Sequence, residues 1–386
     1  RYGLVGSEMC IRDSFKTTVG TNLMTDVVII GGGIAGIAAC AQIAPHLKVT
    51  LLEAEPELCY HSSGRSAATF IEDYGNRVTR ELNKESLTFL KSESQGFLKE
   101  RGLLLIGKYG EEKEFQTDAG DLGLAHISFD EAFQLLPSLK QEEITRQAYR
   151  PDVYDIDTNK LFEYYRKIAL ENGAHIRKKT KLVSAYLQNN KWKIKSSNGD
   201  LSASILINAA GAWADQVAEF CGISKLNIIP YKRSIARMQA PKGVDVQNWP
   251  MLDGVGETWY AKPDAGNLIV SPADKQMVSA HDAWADDETL AAGIQSFQAV
   301  VNFPINRMLS NWAGLRSFAP DGNLVIGPDK NNSSFFWFAG QGGYGFQTAA
   351  SASQLLSDLL LEKKVSVDSK ILAVSYTHLR AHETVS

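Results

Sequence analysis

Val27-Val28-Ile29-Ile30-Gly31-Gly32-Gly33-Ile34-Ala35-Gly36, followed by Leu51-Leu52-Glu53, decides the fold of this chain. Four β-branched residues in a row read as a strand buried on both faces, the glycines as a tight turn, and the Ala/Ile-rich stretch after them as a helix. The next apolar run reads as a second strand ending on an acid. That order is a dinucleotide-binding unit. Gly31 permits the turn, Gly33 lets the backbone approach a pyrophosphate, Gly36 lets the helix lie close to the strand, and the helix N-terminus favours negative charge. Glu53 is placed to accept hydrogen bonds from a ribose. The motif alone leaves nicotinamide and flavin dinucleotides open.

Outward from this unit, 76–100 reads as an amphipathic helix and 103–107 as a short apolar strand. Asn159–Glu171 is helical, ending at Asn172-Gly173. A hairpin-like pair, 181–187 and 191–196, precedes a buried strand at Ile205–Asn208 that leads into Ala209-Ala210-Gly211-Ala212-Trp213 and a helix. Between about 226 and 310 the composition changes to alternating strands, with turn signals at Lys262-Pro263-Asp264-Ala265-Gly266. The part from 312 to 361 returns to a strand, a glycine-rich turn and a long Ala/Ser/Leu helix. The expectation is an α/β fold: a Rossmann-like domain of the glutathione-reductase type, built from 24–75, 150–225 and 311–373, with a mostly antiparallel second domain from 76–149 and 226–310.

The two ends stand apart. Suitable codons for Leu4–Ser14 are the reverse complement of suitable codons for Val374–Thr384, and both segments resemble translated sequencing adapters. Segments 1–14 and 374–386 are therefore expected to be scars, with Met24 as the natural start. The net charge of −4 and the lack of a basic stripe argue against a nucleic-acid partner. No apolar run reaches the length of a membrane span, so the expected compartment is the cytoplasm, with loose membrane association through a quinone acceptor as an alternative. Cys40, Cys59 and Cys221 have neither CxxC nor Cys/His spacing, so no disulfide framework, zinc site or other metal site is expected. Cys40 is expected to be a small core residue on the first helix.

Four further blocks carry a resemblance: His61-Ser62-Ser63-Gly64-Arg65-Ser66-Ala67-Ala68, Asn208–Trp213, Trp312–Phe318, and Gly340-Gln341-Gly342-Gly343-Tyr344-Gly345-Phe346-Gln347-Thr348. Together and in this order they resemble the FAD-dependent D-amino-acid oxidase superfamily, over nearly all of 25–361, and within it the D-arginine dehydrogenase branch. The resemblance implies FAD, held noncovalently. Carried over residue by residue, Gly31, Gly33, Ile34, Ala35, Gly36, Glu53 and Ala54 serve the ADP half, and Val183 meets the adenine through its backbone. Ser62, Ser63, Arg65, Ser66, Ala67 and Ala68 line the flavin half. Ala210, Gly211, Trp213 and Gly314 close one side. Gly342, Gly343, Tyr344, Gly345, Phe346 and Gln347 bring a helix N-terminus to the pyrimidine end, where reduced flavin carries negative charge.

The resemblance also implies a substrate site. Arg316, Arg233 and Tyr260 hold a carboxylate, Tyr74 lies over the substrate, and the Gly343 carbonyl accepts from the substrate amine. Read from the residues alone, Arg316 could instead pair with an acid such as Asp321, and a register slip would hand the role of Arg233 to Lys232. Two positions depart from the D-arginine dehydrogenase pattern: Thr69 stands where a histidine is found, and the Arg101-Gly102-Leu103 region lacks the glutamate that pairs with a guanidinium. Neutral substrates are therefore expected over cationic ones, although Glu72 and Asp73 lie close enough in sequence to restore an acid. The expected activity is oxidation of the amine of D-amino acids by hydride transfer to FAD, giving an imino acid that hydrolyses to a 2-oxo acid and ammonia. A quinone, a dye-like carrier or oxygen takes the electrons. Oxidation of N-methyl amino acids, glycine or a 2-hydroxy acid, and a noncatalytic flavin-binding subunit, are the alternatives.

Overall fold

The computed structural model describes residues 23–91, 95–305 and 307–365. The adapter-like ends, 1–14 and 374–386, lie outside the described residues. The glycine motif opens a six-stranded sheet in the order His175–Arg177, Val49–Leu52, Val27–Ile30, Ile205–Asn208, Phe335–Ala339, Val325–Pro328. The first five strands are parallel and the sixth is an antiparallel edge. Val27–Ile30, Val49–Leu52 and Phe335–Ala339 are buried on both faces, whereas the edge strand His175–Arg177, polar in sequence, is not.

Each face has its own core. On one side the helices Ile34–Ile43, Thr158–Glu171 and Gly345–Leu360 pack on Val27, Ile29, Val49 and Ile207. Cys40 lies in this core as expected, fully buried, and burial pushes its thiol up to about 12. On the other side Val28, Ile30, Leu206 and Trp337 meet the helix Ala214–Phe220 and a small sheet that includes Leu182–Gln188 and Lys191–Ser196. These two strands are joined by Asn189 and Asn190, both at positive φ (51° and 56°), the left-handed pair a two-residue hairpin needs.

A nine-stranded, mostly antiparallel sheet forms the second layer system. Its long ribbon pairs Ile229–Met238 with Met308–Phe318. This strand was grouped by sequence with 311–373, next to the parallel sheet, yet it joins the antiparallel one, where Ala313 and Leu315 complete a small apolar cluster with Ala212 and Ala283. The helix expected over 76–100 spans Arg77–Leu90 only, and Leu98–Glu100 is a strand. Asn76 starts the helix by accepting from the Thr79 N–H (3.0 Å). Its buried face, Val78, Leu82 and Leu90, packs against Gly345–Leu360 in the first core, although sequence had grouped 76–149 with the second domain. The strand Tyr260–Asp264 likewise runs through Lys262 and Pro263, and the turn is confined to Ala265 and Gly266.

Candidate active site

The cavity between these two sheets has a volume of about 430 Å³ and is lined from the first glycine turn at one end to Arg233, Tyr260 and Arg316 at the other. At the first turn the backbone is held by close approach. A Cβ on Gly31 (φ 109°) would stand 2.5 Å from the Ala209 carbonyl oxygen, and one on Gly36 would stand 1.9 Å from the Gly31 carbonyl oxygen. Glu53 accepts from the backbone N–H of Gly32 at 2.7 Å and of Glu55 at 2.8 Å. Its carboxylate is thereby fixed in place, with lone pairs left for further donors. The first helical amide, Ile34 N–H, donates to the Ser63 hydroxyl (3.0 Å), and neither the helix starting at Ile34 nor the one starting at Gly345 has an acid in its first turn. Both helix N-termini therefore face the cavity without an acid of their own first turn to oppose an anion.

The middle of the cavity is shaped by the 59–69 loop. Ser62 donates to the Leu315 carbonyl (2.6 Å), and the guanidinium of Arg65 is occupied by the Ala283 and Ala313 carbonyls (2.9 Å each) and by Asp282. His61 bonds Glu55 (3.0 Å) and packs its ring 4.4 Å from that of Trp213. Asn208 shapes the turn after its strand by donating to the Ala214 carbonyl (2.8 Å), which sets Ala210, Gly211 and Trp213 on the wall. Ala54, Ser66, Ala67, Ala35, Gly314, Gly342, Phe346 and Gln347 also line the cavity.

Five residues expected at the site do not line the cavity. Gly36 packs helix on strand. Ala68 (φ 60°) turns its carbonyl to the Ile156 N–H. Val183 lies in a β-bulge between Leu182 and Ser184 that turns it outward, 46% exposed, and the lining ends at Thr180, Lys181 and Leu182. Tyr344 stacks edge-on against Tyr74 (5.2 Å), and Tyr74 reaches the site through its hydroxyl, which accepts from Arg316 at 3.2 Å.

The far end of the cavity is built by strand alternation. Arg233 lies opposite Gly314, and Tyr231 opposite Arg316, so both arginines project from one face of the ribbon while Lys232 takes the other. Gly343 lies against the Arg316 guanidinium, where a Cβ would come within 2.9 Å of its central carbon. Burial, and then the like charge of Arg316, hold the Arg233 guanidinium below its ordinary pKa. The Nε of Arg233 and the hydroxyl of Tyr260 are buried without a hydrogen-bond partner. Two adjacent cations and an orphaned hydroxyl are what a bound carboxylate would satisfy. We expect Tyr260→Phe to leave the melting temperature unchanged or higher, because it removes an unsatisfied hydroxyl, while raising KM about tenfold. Thermal melts and steady-state kinetics on one preparation check both.

Behind this wall is a charge network that no motif marks. Lys262, buried, donates to the Ala67 carbonyl (2.9 Å) and to Asp155, whose other oxygen accepts from Arg101 Nε (2.8 Å). Burial lowers the Lys262 pKa, and Asp155 opposes that shift. The network ties the Tyr260–Asp264 strand to the loop carrying Ala67. Removing one partner leaves buried cations uncompensated, so Asp155→Asn is expected to cost about 3 kcal/mol in urea unfolding.

A family model described as FAD dependent oxidoreductase matches residues 26–359. Among curated relatives, monomeric sarcosine oxidase of Bacillus sp. (strain B-0618) is 21% identical over 92% of this chain and 97% of its own length. The FAD-dependent oxidoreductase domain-containing protein 1 of Bos taurus is 25% identical over 42% of this chain, an alignment that spans only 36% of that protein. Among solved structures, glycine oxidase from Geobacillus kaustophilus superposes with a TM-score of 0.78 at 20% identity, covering 91% of this chain and 98% of that one.

Proposed function

We propose, given that the chain belongs to the FAD-dependent oxidoreductase family, that it oxidises the amine of a D-amino acid to an imino acid, which water converts to a 2-oxo acid and ammonia. The single observation that carries this reading is the pair of arginines, Arg233 and Arg316, beside the unpartnered Tyr260 hydroxyl at the inner end of the cavity. A noncatalytic flavin carrier has no use for a carboxylate clamp. The likeness to D-arginine dehydrogenases belongs to this reading, as does the division of labour between a flavin-binding domain around the parallel sheet and a substrate-binding domain around the antiparallel one.

The cavity residues fit FAD: Gly31 and Gly36 leave no room for side chains, Gly33 leaves its backbone open to the cavity, Glu53 is held ready beside them, and the two helix N-termini face inward. When bound there, FAD supplies a two-electron acceptor for hydride. The protein's own contribution is position. Arg316 and Arg233 hold the carboxylate from one face of the ribbon, Tyr260 donates its hydroxyl, and the Gly343 carbonyl accepts from the amine. Tyr74, with its hydroxyl on Arg316, steadies the guanidinium. Burial, opposed by Arg316, raises the Tyr74 pKa, so the hydroxyl stays neutral at neutral pH. No strong base is required if the amine arrives neutral and its extra proton has gone to water.

Secondary amines are the second reading, favoured by the full-length likeness to a sarcosine oxidase. Turnover with a dye acceptor separates the two. Primary D-amino acids should release ammonia and 2-oxo acid in equal amounts. Formaldehyde and a primary amine from N-methyl substrates alone would contradict the first reading.

A further inference from the structure

Between Glu171 and Asp200 the chain holds no aspartate or glutamate, yet it carries Arg177 and six lysines. The net charge of −4 conceals this local excess, and the register of two strands gathers it. In the hairpin Leu182–Gln188 and Lys191–Ser196, Lys191 lies opposite Gln188, Lys193 opposite Tyr186 and Lys195 opposite Ser184, while Trp192 and Ile194 point the other way into the second core. The lysines thus form one row on the outer face. Spaced at about 7 Å, they stand within a Debye length of one another and repel.

Nothing on the face compensates the row. Lys178 donates to Glu57 (2.6 Å) and Arg177 to the Asn198 carbonyl, but among the described residues Lys179, Lys181, Lys191, Lys193 and Lys195 are in no ion pair. Beside the row lies apolar surface: Tyr186 is 59% exposed, and Val183 and Leu187 are open to solvent as well. Lysines in a sheet often guard its edge against pairing with another chain. Here the edge strand is Leu182–Gln188, which carries none of them, and the row stands one strand in. Cations in a row, flanked by a tyrosine and two aliphatic side chains, match the two halves of a lipid interface, its anionic headgroups and the carbon beneath them. A nucleic-acid backbone offers phosphates to the lysines but no apolar surface to Val183 and Leu187.

We propose that this face docks on the surface of a bilayer containing anionic phospholipid. The lysine row meets the headgroups, and Tyr186, Val183 and Leu187 enter at their depth. Binding is peripheral, since among the described residues no helix is long and apolar enough to cross a membrane. The face adjoins Thr180, Lys181 and Leu182, where the cavity lining ends, and belongs to a different sheet from Arg233, Tyr260 and Arg316. Docking there leaves the carboxylate clamp unoccupied and holds the protein where a lipid-soluble electron acceptor is concentrated.

The test is co-sedimentation of the purified flavoprotein with vesicles of phosphatidylcholine, or of an equal mixture with phosphatidylglycerol. The expected result is binding to the mixed vesicles at about 0.1 M salt, little binding to phosphatidylcholine, and release at about 0.5 M salt. Lys191→Gln, Lys193→Gln and Lys195→Gln should each lower the partition coefficient about fivefold. Tyr186→Ser should weaken binding without changing its salt dependence, and turnover in solution should be unchanged in all four. Equal binding to both vesicles, binding to neither, or binding that the lysine substitutions leave unchanged overturns the inference. So does tighter retention on duplex DNA than on the mixed vesicles at the same salt, which would make the face a site for a soluble polyanion. No substrate is present in this assay, so its failure leaves the amine reading standing.

Discussion

Arg316→Ala is expected to purify yellow and to lose roughly 10²- to 10³-fold in kcat/KM, most of it in KM. The guanidinium touches Tyr74 and the Gly343 backbone, while the turn and helix from Gly342 to Gln347 are held by other contacts: Gly342 N–H on the Ser317 carbonyl (2.8 Å) and Gln347 Oε1 on the Ile71 N–H (2.5 Å). Flavin binding therefore survives the truncation. The substrate carboxylate is left with Arg233 and the Tyr260 hydroxyl, and each lost charge-assisted hydrogen bond is worth about 1.5–3 kcal/mol. Arg316→Lys should recover only part of the loss, because an ammonium cannot reproduce the planar fork. Steady-state kinetics with the flavin content normalised check this. An Arg316→Ala enzyme within about threefold of wild type would show that the carboxylate is held elsewhere.

Gly33→Leu should purify colourless but folded, with flavin affinity lowered by about 10²-fold or more. The three glycines of the turn separate cleanly on this point. Side chains at Gly31 and Gly36 collide with backbone oxygens at 2.5 and 1.9 Å, so substitution there breaks the packing of strand and helix. A Cβ at Gly33 meets only the Ser63 hydroxyl at 3.1 Å, and the rest of a leucine extends into the cavity that Gly33 lines. Circular dichroism should be native. The melting temperature should fall only by the share that bound flavin contributes. Full flavin content in Gly33→Leu would place the pyrophosphate away from this turn.

What the chain's sequence discloses follows the range of the interactions involved. The dinucleotide unit is local: strand, turn, helix and acid lie within Val27–Glu53, and Gly36 answers a contact inside that stretch and Gly33 one close beyond it, whereas Gly31 answers the Ala209 carbonyl from a distant strand end. The hairpin at Asn189-Asn190 is local for the same reason. The clamp arginines are visible only through a family likeness, because what makes them a pair is the register of Arg233 on Gly314 between strands far apart in the chain. Lys262 reads as part of a turn from its Pro-Asp-Ala-Gly neighbours, yet it is buried because Asp155, on the strand Tyr154–Ile156 and itself held by Arg101, meets it there. Val183 lies off the cavity lining for a smaller cause, a single bulge that no residue type announces.

Anaerobic mixing of the purified yellow protein with paired D- and L-amino acids reads amine oxidation and its handedness in one step. The flavin is expected to bleach with D-amino acids and to stay oxidised with their mirror images, and a flavin that no amino acid of either hand reduces would show that the protein is not an amino-acid dehydrogenase.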